Sequence, residues 1–215
     1  MQKTTLIRWG LKPLVFLAAL GPLAYLAWGA ANDELGANPI SEITLATGLW
    51  TLRFLAITLA VTPLRRLVWN DATRFRRMLG LFAFFYGSLH FLTYLWLDQF
   101  FDLAAMAADI WKRPFIAVGF AAFAAMAPLA VTSTAGWIRR LGGRTWKRLH
   151  RLVYVSAACG VLHFWWLVKA DVREPLVYGL IVAALFAFRL VKAFSRRPVK
   201  PARTAAAAAD FVRPS

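Results

Sequence analysis

The chain of 215 residues is poor in the residues from which most soluble sites are built. It has one cysteine, Cys159, so no intrachain disulfide and no cysteine-based cluster can form. Cys159 falls within an apolar run, where packing is its expected role. Ten acidic residues stand against 26 Lys and Arg, a formal charge of +16, and there are only three histidines. No Walker loop, GxGxxG, HExxH or nucleophile elbow is present, which removes the usual motif-borne phosphate, dinucleotide, metalloprotease and hydrolase chemistries. Apolar residues are what the chain has in abundance. They make up 60% of it, with ten tryptophans, and the mean hydropathy is +0.56. A soluble domain of this size has too little interior for them.

Six stretches, about 13–31, 43–64, 78–97, 114–136, 149–168 and 175–194, are long enough to cross ~30 Å of hydrocarbon at ~1.5 Å per residue. The sequence predicts an all-α membrane protein, a six-transmembrane helix bundle over 1–195, followed by a basic disordered tail over 196–215. The connecting loops are too short to build a soluble catalytic domain. Lys3, Arg8 and Lys12 ahead of the first apolar run resemble the start of a signal peptide. That run is longer than the usual signal core, so it is expected to stay as the first helix.

Charge sets the expected orientation. Lys3, Arg8 and Lys12, then Arg65, Arg66, Arg74, Arg76 and Arg77, then Arg139, Arg140, Arg144, Lys147, Arg148 and Arg151, fall on alternate connections with the C-terminal cluster from Arg189 to Arg213. The opposite connections hold Lys112, Arg113, Lys169 and Arg173 against eight of the ten acids. The positive-inside rule then places both termini in the cytoplasm. Topology and anionic lipid account for the basic excess, and nucleic-acid binding is not expected.

The histidines carry the chemistry. His90 and His163 lie inside the third and fifth apolar runs, and His150 lies at the mouth of the fifth. His90 is thirteen residues after Arg77 and eight before Asp98, while His163 is twelve after Arg151 and eight before Asp171. Two parallel helices thus present one imidazole each at one depth, as a bis-imidazole iron site requires. A buried imidazole otherwise relays a proton or donates an interhelical hydrogen bond. No span carries a carboxylate at depth, as a proton pump or transporter would normally need. The matched pair therefore favours a haem held between the third and fifth helices. His150, thirteen residues before His163, is ~20 Å nearer the basic end and is open to a haem, a flavin contact or an ordinary hydrated role.

Arg53 is the one basic residue well inside a span, at a depth close to the histidine pair. It is expected to meet a haem propionate or a quinone oxygen. Pro128 implies a kink before Thr132, Ser133 and Thr134. Phe82, Phe84, Phe85, Phe91, Tyr94 and Trp96 around His90, and Phe164, Trp165 and Trp166 beside His163, could pack on a porphyrin or face lipid.

Several segments together resemble one family: TPL at 62–64, RRMLGL at 76–81, SLHFLTY at 88–94, KRPF at 112–115, TST at 132–134, RLGGRTWKRLHRLVY at 140–154 and VLHFWWLVK at 161–169. Over about residues 6–195 the chain resembles the MsrQ (YedZ) type of haem-binding membrane subunit, within the ferric-reductase-like transmembrane group. The resemblance implies b-type haem bound through His90 and His163, with His150 also implicated, and a family habit of a basic residue at Arg53. It implies association with FMN, for which no local motif here supplies contacts. It also implies electron delivery to a periplasmic molybdopterin methionine sulfoxide reductase, with sulfoxide chemistry on that partner and electrons drawn from quinol or a cytosolic flavin reductase. The competing readings are another ferric-reductase-like electron carrier, a non-redox transporter, or a purely structural assembly subunit.

Overall fold

The structure is a computed structural model that describes residues 5, 7–168 and 171–195. Lys3, Lys169 and the tail expected over 196–215 lie outside the described residues. Eight α-helices occur in chain order among them: α1 (Lys12–Ala31), α2 (Pro39–Leu67), α3 (Arg76–Thr93), α4 (Leu103–Lys112), α5 (Pro114–Val131), α6 (Ala135–Leu149), α7 (Leu152–Leu167) and α8 (Arg173–Ser195). No strand occurs among the described residues. The helix starts carry local signals. Pro39 and Pro114 occupy first-turn positions, where a missing N–H costs nothing. Asn38, Asp102 and Thr134 accept from the free N–H groups of α2, α4 and α6.

Five helical segments are long and apolar enough to cross a membrane: Trp9–Ala31, Pro39–Leu67, Arg76–Asp98, Pro114–Val131 and Arg173–Ser195. The expected sixth, 149–168, is α7, whose 16 residues span only ~24 Å. It is shortened at one end by the turn at His150 and Arg151 and at the other by the extended backbone of Val168. The expected fourth span, 114–136, stops at Val131, because Thr134 caps a new helix. That helix, α6, occupies what the sequence suggested was a basic loop. Its Trp137, Ile138, Leu141 and Trp146 alternate with five cations, and none of its residues is buried, as in a helix lying along an interface. Gly142, at φ 73°, turns the chain within it. Across the bundle, Leu14, Leu17, Tyr25, Leu180 and Val191 are exposed, an apolar exterior that suits lipid rather than water.

Two polar insertions fix the spans to one another. The fully buried Tyr86 of α3 takes the N–H of Leu23 at 3.2 Å and donates to Ala19 O at 2.8 Å, entering the α1 ladder beside Pro22. Pro63 in α2 has no N–H, so Leu59 O loses its helical donor. The Arg189 guanidinium of α8 donates to that carbonyl. Small residues bring α5 and α7 together: Ser156, itself fully buried, donates to Ala122 O at 2.9 Å, next to fully buried Ala157. With α2 packed along α3 and α5 along α7, two helix pairs face each other with the histidines between them.

Candidate functional site

His90 of α3 and His163 of α7 meet with ring centres 6.1 Å apart and ring planes 74° from parallel. Each ring is held by its Nδ1. His90 Nδ1 is 2.9 Å from Thr44 O, and His163 Nδ1 is 2.7 Å from Phe115 O. A carbonyl only accepts, so each Nδ1 carries a proton, and the lone pair with which an imidazole binds a metal would be on Nε2. Pinning the far nitrogen to a carbonyl is how a metal-binding histidine is oriented.

The backbone has been cleared behind both rings. A Cβ at Gly48 of α2 would lie 3.1 Å from His90 Nδ1, and one at Gly119 of α5 would lie 2.7 Å from His163 Nδ1. The His163 ring could not keep its present place beside any larger residue than Gly119, and the His90 ring would have to give by a few tenths of an ångström if Gly48 carried a Cβ. The two rings border a cavity of about 590 Å³, within the range of cofactor sites. Its deeper wall is mostly apolar, including Leu52, Leu55, Phe123 and Met126. Polar side chains, among them Asn38, Ser41, Asp98 and Arg113, gather toward the acidic end of the bundle.

The arrangement fits a haem. An imidazole nitrogen sits about 2 Å from a first-row metal and its ring centre roughly 1 Å further, so two imidazoles holding one metal between them would have centres about 6 Å apart. The observed 6.1 Å matches that separation. Among the described residues no group of three or more His, Cys, Asp or Glu could hold an ion. Two imidazoles at that separation suit a metal whose remaining positions a macrocycle would fill.

The other expected site residues lie elsewhere. His150 closes α6 at the basic end. Thr132 Oγ1 donates to Pro128 O at 2.6 Å, so at 3.1 Å it accepts from His150 Nε2. The Trp146 ring stacks on the imidazole at 3.9 Å while its Nε1 donates to Thr132 O at 2.9 Å. This corner unites the TST and TWKRLH segments and borders no part of the 590 Å³ cavity. Arg53 is also absent from the lining. Its Nε donates to Tyr178 Oη at 2.8 Å, and its guanidinium lies 4.7 Å from the Trp50 ring centre. The basic side chain on the cavity is Arg113, 3.4 Å from Asp109.

The aromatics divide in the same way. Phe91, Tyr94 and Phe164 line the cavity, joined by Phe115, Phe120 and Phe123. Phe82 instead stacks in the core against Phe54 and Phe16, and Phe84 packs on Phe123. Phe85, Trp96, Trp165 and Trp166 do not line the cavity. The lone glycines in the apolar segments TGLW and AVGF were a sequence signal for close approach. The accepting carbonyls of Thr44 and Phe115 leave no mark in a sequence.

The family described as ferric reductase like transmembrane component matches residues 45–161. The chain is 56% identical over 190 residues to a protein of Herminiimonas arsenicoxydans named protein-methionine-sulfoxide reductase heme-binding subunit MsrQ, covering 87% of each. Proteins of the same name from Azospira oryzae and Bordetella pertussis are 53% and 51% identical, covering 85% and 87% of this chain and 79% and 92% of theirs. No solved structure matches the chain.

Proposed function

The chain belongs to the MsrQ family of haem-binding subunits, within the ferric-reductase-like transmembrane group, and from that premise we propose that it carries single electrons through a membrane on a b-type haem held by His90 and His163. The observation that carries the reading is the 6.1 Å pair of imidazoles, each with its Nδ1 on a backbone carbonyl and its Nε2 free to bind. Bound there, the haem supplies one-electron ferrous–ferric chemistry. The protein's residues do the rest. Thr44 O and Phe115 O fix the two rings, Gly48 and Gly119 leave them room, and the apolar inner wall excludes water. With His90 and His163 both holding the metal, no position would be left for oxygen, which would favour electron transfer.

The polar end of the cavity is where two propionates would be tolerated, and Arg113 is the cation positioned for them. Arg53 is reassigned to holding α2 against α8 through Tyr178. His150 is a hydrogen-bonded corner residue that also stands where an electron would enter from the basic side.

In this reading α7 completes six membrane crossings, the lipid-flanked bundle sits in a bacterial inner membrane, and both termini and the basic connections face the cytoplasm. Electrons from quinol or a cytosolic flavin reductase, with FMN as a further cofactor, pass to a periplasmic molybdopterin methionine sulfoxide reductase at the acidic face. Sulfoxide is reduced on that partner. Reporter fusions at Leu103 and at Gly143 should report opposite sides of the membrane, with Gly143 cytoplasmic, and the reverse pattern would invert the donor-to-acceptor direction.

The experiment that tests the function is a visible spectrum of the purified chain with pyridine haemochromogen quantitation. A low-spin b-type spectrum that disappears on replacing His90 or His163 is the expected outcome. A chain purified without a Soret band would favour the transporter reading.

A further inference from the structure

We infer that the pocket between α2, α3, α7 and α8 at the basic end of the bundle is a phosphate-binding site. It has a volume of about 360 Å³ and is lined by Thr62, Arg76, Tyr154, Arg189, Lys192 and Ala193. It shares no lining residue with the His90–His163 cavity and does not depend on the haem reading. Three cations and two hydroxyls face one space, and no carboxylate lines it.

Arg189 is the fixed member. Its Nη1 donates to Leu185 O at 2.7 Å, and its Nη2 donates to Leu59 O and, at 3.2 Å, to Thr62 Oγ1. Its guanidinium carbon lies 5.6 Å from the centre of the Tyr154 ring. The Leu59 carbonyl is available because Pro63 supplies no N–H to it. Arg189 is thus held by backbone oxygens, which place its charge without neutralising it. Neither Arg76 nor Arg189 belongs to an ion pair among the described residues, and the two charges act on one another. Like charges gathered over one pocket favour an anion with several acceptor oxygens. A phosphate offers acceptors to guanidinium, ammonium and hydroxyl donors together.

Two sources carry that group: the phosphomonoester of a flavin nucleotide and the phosphodiester of an anionic lipid headgroup. The pocket lies where basic side chains end the apolar spans, the level at which headgroups and soluble nucleotides both reach a membrane protein. The test uses the full-length protein and an Arg76→Gln/Lys192→Gln double variant, which spares the Arg189 bond to Leu59. One arm titrates FMN by flavin fluorescence, with riboflavin as the phosphate-free control. The other compares nanodiscs of phosphatidylcholine with and without phosphatidylglycerol, reading retained lipid by native mass spectrometry. Binding of FMN but not riboflavin, or selective retention of phosphatidylglycerol, weakened about tenfold or more in the double variant, supports the site and names its source. Circular dichroism of the variant must match the parent. If it does not, Arg76→Lys and Lys192→Arg, which keep charge, should retain binding, and loss of binding in those variants overturns the site. Absence of both binding signals in the parent, equal binding by the double variant, or riboflavin binding as tightly as FMN without lipid retention also overturns it.

Discussion

The two ends of the bundle use the same residue type for different work. At the acidic end His90 and His163 give their Nδ1 protons to backbone carbonyls and share a 590 Å³ space with free Nε2 lone pairs. At the basic end His150 gives its Nε2 proton to Thr132 Oγ1 and lies beneath the Trp146 ring. A ligand histidine is marked less by being buried than by which nitrogen the protein has tied down and whether room remains before the other. Both acidic-end rings meet these conditions. At His150 the nitrogen tied down is Nε2, and Trp146 covers one face of the ring.

The sharpest way to break this contrast is to remove each imidazole in turn. If both hold one metal, His90→Ala and His163→Ala should each abolish the low-spin haem spectrum, and the double variant should lose no more. His150→Ala should keep that haem and lose one partly buried hydrogen bond, about 1 kcal/mol, which a thermal unfolding midpoint can read. If His150→Ala removes as much haem as His90→Ala, the two ends are not different and the contrast fails.

A smaller effect should come from the glycines behind the rings. Gly119→Ala puts a methyl 2.7 Å from His163 Nδ1, and Gly48→Ala puts one 3.1 Å from His90 Nδ1. The ring must shift in both cases, further at His163, and its carbonyl bond must weaken. Haem per protein should fall severalfold for Gly119→Ala and less for Gly48→Ala. Gly143→Ala, where the added methyl meets nothing within 4 Å, should leave it unchanged. Equal occupancy in all three would mean the rings are not held by close backbone approach.

How far the sequence foretold this site depends on what spacing can encode. Counting from charged ends placed His90 and His163 at one depth, and the structure brings them together, because rise along a helix is fixed at ~1.5 Å per residue. Depth says nothing of direction around the axis. Gly48, Leu52 and Leu55 line the cavity from one face of α2, at i, i+4 and i+7. Arg53 follows Leu52 by one residue, roughly 100° around the helix, and so reaches Tyr178 of α8 instead. The same limit applies to Phe82, which points into the core, and to Phe84, which stacks on Phe123 behind the cavity lining. The helix α6 was hidden for another reason. Its six Lys and Arg residues, counted from Arg139 to Arg151 with the turn that follows, look like a loop by charge density, and only the spacing of Trp137, Ile138, Leu141 and Trp146 reveals an amphipathic helix.

The smallest expected effect separates the two arginines. Arg113 lines the cavity at its polar end, whereas Arg53 is satisfied by Tyr178 and Trp50 outside it. Ferric haem carries one more positive charge than ferrous, so a nearby cation disfavours the oxidised form. Removing that cation should therefore lower the midpoint potential. A unit charge about 10 Å away in a medium of effective dielectric about 20 acts with roughly 1.7 kcal/mol, or some tens of millivolts for one electron. Arg113→Gln should lower the potential by that order, and Arg113→Lys should restore most of it. Arg53→Gln should leave the potential near the parent value while lowering thermal stability through loss of the Tyr178 bond. The measurement is a redox titration of the α-band in all three variants. A fall in potential for Arg53→Gln with none for Arg113→Gln would return the propionate role to Arg53 and require α2 to rotate when the haem binds.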